Sequence, residues 1–179
     1  MSNNPSDPRS LGLSRQGGFT LVEAVVALTI FVLGVVGLVS LVLVSKSTSE
    51  QGRDAVQAVN YLQEGAEAVR AVRDSAWTNV STDGAYRLSP QTGMNPPWQL
   101  LSGGTESVGG KFNRTVQIGS VSREDTDGNG QLSAGDRIVP TGGTLQDPDT
   151  KKITVTVSWQ VGNQTKTRTL YVYLTKWNS

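Results

Sequence analysis

Arg15-Gln16-Gly17-Gly18-Phe19-Thr20-Leu21-Val22-Glu23 opens an apolar run that continues almost unbroken to Val44. A short polar leader meets a long apolar segment at two glycines, and one carboxylate sits just inside it. Residues 19–44 hold one charge, Glu23. As a helix these 26 residues span about 39 Å, enough for a hydrocarbon core of about 30 Å. Arg9 and Arg15 precede the run closely, so the positive-inside tendency predicts a cytoplasmic N-terminus and an outward-facing remainder. A secretory signal would have a shorter apolar stretch followed by a small-residue cleavage site. Here the plausible cut precedes the apolar stretch.

The junction resembles the prepilin-type leader of type IV pilins and of type II secretion pseudopilins, over residues 15–50. That resemblance implies cleavage by a prepilin peptidase between Gly18 and Phe19, then N-methylation of Phe19. It further implies that Glu23 pairs with the N-terminal amine of a neighbouring subunit during assembly. The physics agrees, because a carboxylate in a spanning helix costs roughly 2.5–3.5 kcal/mol and needs a partner or a task. A second account of Glu23 also stands: it lies near the helix N-terminus, where the dipole favours anions. The chain departs from many major pilins in having no proline between Pro8 and Pro90 and no cysteine to close a disulfide. Gly34 and Gly37 are either points of local extension and close helix packing or ordinary spacing residues.

Beyond Val44 the composition turns polar while Val56, Val59, Leu62, Ala66, Val69 and Val72 recur at steps of three and four. This predicts one helix from about residue 20 to 75, its second half packed by an apolar face on a sheet. Glu50 with Arg53, Glu67 with Arg70, and Arg70 with Asp74 are spaced for surface ion pairs.

The rest reads as a small β head. Short strands are expected at 85–88 and 98–101, separated by turn signals such as Asp83-Gly84 and Asn95-Pro96-Pro97. Phe112, Arg114, Val116 and Ile118 alternate with polar neighbours, as do Ile153, Val155, Val157, Trp159 and Val161. Gly162-Asn163 then closes a two-residue hairpin that sets Val155 opposite Leu170 and Ile153 opposite Val172. The expected fold is α+β, a long N-terminal helix on a small antiparallel sheet, as in pilin heads. Its segments are a cleaved leader 1–18, a membrane or filament-core helix 19–44, an amphipathic continuation 45–76 and a head 77–179.

Within the head, residues 125–136 have the spacing of a calcium loop. Asp125, Asp127 and Asn129 place side-chain oxygens at the first, third and fifth positions, and Gly130 permits the sharp turn at the sixth. Gln131 offers a backbone carbonyl, Ser133 a hydroxyl or water, and Asp136 closes the loop at the twelfth. The run resembles EF-hand and dockerin loops, but strand-like sequence flanks it and Asp136 replaces the usual glutamate. An isolated Ca2+ loop that orders a long connection is expected; a polar turn held by Asx side chains is the plainer alternative.

Composition narrows the function. Sixteen Lys and Arg stand against 15 Asp and Glu, and loss of 1–18 leaves fourteen of each, so no nucleic-acid partner is expected. Histidine and cysteine are absent, which removes the commonest general base and all thiol chemistry. No nucleophile elbow or phosphate loop is present, and a membrane-anchored enzyme has no visible constellation. Asn79, Asn113 and Asn163 begin glycosylation-type triplets, a pattern that arises readily by chance in a Ser/Thr-rich chain. The resemblance implies a filament subunit, a minor pilin by its missing proline and disulfide and its loop. The alternatives are a pseudopilin of a periplasmic pseudopilus and a calcium-dependent tip adhesin. Its implied partners are other pilin or pseudopilin subunits, the prepilin peptidase, an inner-membrane assembly platform and membrane lipid.

Overall fold

The computed structural model describes residues 18, 20–139 and 142–176. Phe19, the residue expected to become the mature N-terminus, lies outside the described residues, as does the leader up to Gly17. The chain divides into two compact units, Met1–Thr48 and Ser49–Ser179.

Helix α1 runs Leu21–Ser75. In the first unit every described residue is exposed, including all the large apolar side chains from Leu21 to Val44. Its few hydroxyls are turned back on the helix. Thr29 Oγ1 donates to the Val25 carbonyl at 2.8 Å and Ser40 Oγ to the Val36 carbonyl at 2.9 Å. Those bonds satisfy polar groups that apolar surroundings would penalise. By length and composition this helix is able to cross a membrane.

In the second unit, α1 and a seven-stranded antiparallel sheet enclose the core. The strands are β1 Gly84–Pro90, β2 Trp98–Ser102, β3 Glu106–Val108, β4 Phe112–Glu124, β5 Arg137–Val139, β6 Leu145–Val161 and β7 Gln164–Thr175. Sheet order is β2-β1-β4-β6-β7, with β3 and β5 also pairing with β4. The expected α+β, pilin-like architecture is therefore present. The final hairpin has the register expected of its two-residue turn, with Val155 opposite Leu170 and Ile153 opposite Val172. Gly162, at φ +59°, supplies the left-handed conformation that turn requires.

Period-two alternation translates directly into burial. Phe112, Arg114, Val116 and Ile118 of β4 and Ile153, Val155, Val157 and Trp159 of β6 all point inward. Against them pack Ala58, Leu62, Gly65, Ala66, Val69 and Val72 of α1. Each fully buried valine or isoleucine contributes roughly 1.5–3 kcal/mol of transfer free energy. Gly65 sets how close the helix comes: a Cβ there would lie 2.9 Å from a Val155 methyl and 3.2 Å from Arg114 Cδ.

Two expectations need correcting. Val56 and Val59 do not belong to the buried face; they are 63% and 42% exposed. At about 100° per residue Val56 lies about 120° round the helix from Leu62, while Ala58 falls within the stripe. Asp74 is held by Arg73 at 2.6 Å and not by Arg70, whereas the Glu67–Arg70 pair forms as spaced.

Strand β6 also begins earlier than its alternation suggested. Leu145, Gln146 and Asp147 pair with Arg123, Ser122 and Val121, after which the register jumps from Asp147 to Lys151. The bulge absorbs Pro148, which has no amide hydrogen for a regular ladder.

Candidate functional site

The helix start is capped. Glu23 N–H donates to Thr20 Oγ1 at 3.3 Å, and Ala24 N–H donates to the Thr20 carbonyl at 3.1 Å. Thr20 is thus the N-cap and Glu23 the third helical residue, the Thr-x-x-Glu spacing of a capping box. Sequence reading missed this role, although the spacing was visible. Among the described residues the Glu23 carboxylate has no ion-pair partner and is fully flanked by exposed apolar side chains. Gly18 lies just before this cap, with open space where a Cβ would stand.

The 125–136 segment is the connection of a hairpin. Glu124 at the end of β4 pairs with Arg137 at the start of β5, and their side chains form an ion pair at 2.6 Å. The ladder therefore closes at the two residues flanking the twelve-residue loop. Inside it, Asp125 Oδ1 accepts from Gly128 N–H at 2.7 Å and Asn129 N–H at 3.2 Å, while Oδ2 accepts from Gly130 N–H at 2.7 Å. Asp127 Oδ1 accepts from Asn129 N–H at 3.1 Å, and Asn129 Oδ1 from Gln131 N–H at 2.6 Å. Asp136 reaches back from the far end. Its Oδ1 accepts from Thr126 N–H at 3.1 Å and its Oδ2 from Ser133 N–H at 2.7 Å.

All six expected ligand residues fall in this network. Asp125, Asp127 and Asp136 bring one carboxylate oxygen each within 4.8 Å of the others. Asn129, Gln131 and Ser133 are joined to them through backbone amides, and the Asn129 side-chain amide also donates to Asp127 Oδ2 at 2.8 Å. Gly128 and Gly130, both at φ +70°, take the left-handed turns that aim successive amides inward. Backbone hydrogen bonds, first from Gly130, hold Asp125 below the usual aspartate range; those from Ser133 and Thr126 do the same for Asp136. Three clustered carboxylates in an oxygen-only donor set suit a hard cation such as Ca2+.

A third feature was legible only in part. Arg114, on the inward face of β4, is 1% exposed. Its Nε donates to Glu106 Oε1 at 2.5 Å, and Nη1 donates to the Tyr61 carbonyl of α1 at 3.0 Å. Glu64 adds a longer contact at 3.4 Å. Burial pushes the Glu106 carboxyl above its ordinary value despite the opposing Arg114 charge, and its Oε2 is buried without a partner. Alternation marked Arg114 as inward-facing, but nothing local in the sequence named Glu106 as its partner.

Residues 13–39 match the family model of the prokaryotic N-terminal methylation motif. The chain thus carries the prepilin-type segment shared by pilins and pseudopilins, on a pilin-like α+β fold. No curated protein and no solved structure matches the chain. The motif belongs to proteins that are processed by a prepilin peptidase and assemble with other subunits of their kind.

Proposed function

We propose that the chain is a structural subunit of a type IV pilus or pilus-like filament, inserted in the membrane and assembled through its N-terminal helix. The observation that carries this reading is the methylation motif at 13–39, continuous with a helix whose residues from Leu21 to Val44 are all exposed. Such a surface needs lipid before assembly and the helices of other subunits afterwards. Cleavage between Gly18 and Phe19 would leave a methylated amine four residues from Glu23. The carboxylate of a neighbouring subunit would then complete that charge. An inner-membrane assembly platform would extract the subunit, and its cytoplasmic N-terminus would become the filament core.

In this reading the 125–136 loop holds Ca2+ through Asp125, Asp127, Asn129, the Gln131 carbonyl, Ser133 and Asp136. The ion would offset three gathered carboxylates and order a long hairpin connection in a head without disulfides. The pseudopilin reading rests on the same motif; deletion separates the two by loss of surface fibres or loss of protein export.

Intact mass of the protein from hosts with and without the prepilin peptidase tests the proposal. A mature chain starting at N-methyl-Phe19, formed only with the peptidase, is the expected result. Retention of residues 1–18, or cleavage after Val44, would leave an ordinary anchor or secreted protein.

A further inference from the structure

Asn129 is the one asparagine of the chain that a glycine follows. Both residues are exposed, within the 125–136 loop. Gly130 has no side chain to shield its amide nitrogen, and the space where a Cβ would stand is open. Covalent connectivity keeps that nitrogen close to Asn129 Cγ, and a bond between them closes a five-membered imide. Three hydrogen bonds address the atoms of that ring closure. Gly130 N–H donates to Asp125 Oδ2 at 2.7 Å, Gln131 N–H to Asn129 Oδ1 at 2.6 Å, and Asn129 Nδ2 to Asp127 Oδ2 at 2.8 Å. The first gives the attacking nitrogen a proton acceptor within the reach that transfer needs. The second sets a backbone donor on the oxygen that gains negative charge, as an oxyanion hole does. The third fixes the orientation of the amine that leaves.

We propose that Asn129 is a self-modifying site, which the folded loop converts to aspartate and isoaspartate. Gly130 N bonds to Asn129 Cγ while Asp125 takes the proton from that nitrogen. The Cγ–Nδ2 bond then breaks, and Nδ2 leaves as ammonia with the proton that Asp125 returns. One water opens the imide at either carbonyl, giving aspartate or isoaspartate, and nothing is oxidised or reduced. Aspartate at 129 adds a fourth carboxylate to Asp125, Asp127 and Asp136, which already lie together. In the calcium reading above, this raises the charge of the ligand set at its fifth position. That consequence rests on the calcium reading; the conversion does not. The competing account is protective: the same hydrogen bonds hold the amide away from ring closure, and Asn129 only turns the chain.

The test follows the full chain in dodecyl maltoside micelles with chelator at neutral pH, so that no cation enters the result. Samples taken over days are digested, and the peptide holding residue 129 is resolved by chromatography and mass into asparagine, aspartate and isoaspartate forms. The same chain unfolded in guanidinium chloride gives the rate that the Asn-Gly sequence sets alone. Expected is conversion about tenfold or more faster in the folded chain, with both acidic products formed. Asp125→Asn should reduce it to the unfolded rate. Asp136→Asn loosens the loop from its other end without touching Gly130 and should leave conversion fast. Conversion no faster than in the unfolded chain overturns the proposal in favour of the protective account. Aspartate without isoaspartate would replace ring closure by direct hydrolysis and overturn it too. Equal slowing in both variants would assign the effect to loop order and remove Asp125 from the reaction.

Discussion

Glu23 and Arg114 are both charges on apolar faces of this chain, and they are completed in different ways. In the head, Arg114 is enclosed by Glu106, the Tyr61 carbonyl and Glu64, all from the same second unit. In the helical first unit, the Glu23 amide is capped by the Thr20 hydroxyl, but its carboxylate has no ion pair among the described residues. The head is therefore a self-sufficient fold, whereas the helical segment presents a charge and an apolar surface that only other molecules satisfy. In the proposed assembly, a globular domain and an assembly element would thus differ in where the partner of a charge comes from.

Removing each charge should break this comparison in opposite ways. Glu23→Leu is expected to abolish filament incorporation while leaving the head's unfolding midpoint within about 1 °C, since surface changes remote from the core alter stability little. Immunogold counting of fibres with calorimetry of the purified chain measures both. A lowered midpoint would mean that Glu23 serves the fold. Glu106→Ala should do the reverse, costing about 3 kcal/mol by leaving Arg114 buried and unpaired. Arg114→Met/Glu106→Leu should recover most of that loss in chemical denaturation, because an apolar pair of similar volume needs no solvation. Equal losses for single and double variants would contradict the account of an uncompensated charge.

Calcium extends the comparison to the loop. At a hundredfold excess over its dissociation constant Ca2+ should add about 2.7 kcal/mol to the head. Asp125→Asn/Asp136→Asn should eliminate that increment in calorimetric scans with and without chelator. An increment that survives in the double variant would place the ion elsewhere.

Acid gives a smaller effect with a defined sign. Asp125 and Asp136 titrate below the ordinary aspartate value of 3.8 because backbone amides hold their charged forms. Asp83 does so too: burial acts against it, but Lys151 at 2.7 Å and Ser120 outweigh that. Groups with depressed values contribute stability that is present above 3.8 and lost as pH falls through their folded values. Glu106 has the opposite sign. Its raised value means the folded state holds the proton more tightly, so its contribution falls as pH rises through the interval above 4.5. Unfolding midpoints should therefore change little down to about pH 4 and drop below it. A steep loss between pH 6 and 5 would contradict these assignments. The smallest effect belongs to Val56→Ala, expected within about 0.5 kcal/mol in the isolated subunit because that side chain is exposed. A larger cost would restore Val56 to the buried face.

Much of this was legible locally. The apolar run, its leader junction and Glu23 needed only composition and order. The β6–β7 register followed from a two-residue turn and period-two alternation, and the grouping of Asp125, Asp127 and Asp136 followed from their spacing. Three things were not legible. Val56 matches the apolar spacing but lies off the stripe that Gly65 brings close to Val155. Pro148 lies before the alternating run that begins at Ile153, yet a bulge carries it within β6. Glu106 sits in a three-residue strand too short to announce itself.

By itself the sequence determined the membrane-length helix, the methylation motif and the alternating strands β4, β6 and β7, because those depend on neighbours a few residues apart. Only tertiary structure decided which helical face is buried, that Glu106 and Tyr61 complete Arg114, and that Gln51 and Ala55 of α1 wall a cavity with Trp159. Those pairings join residues up to a hundred or so positions apart, and no local periodicity encodes the packing that brings them together.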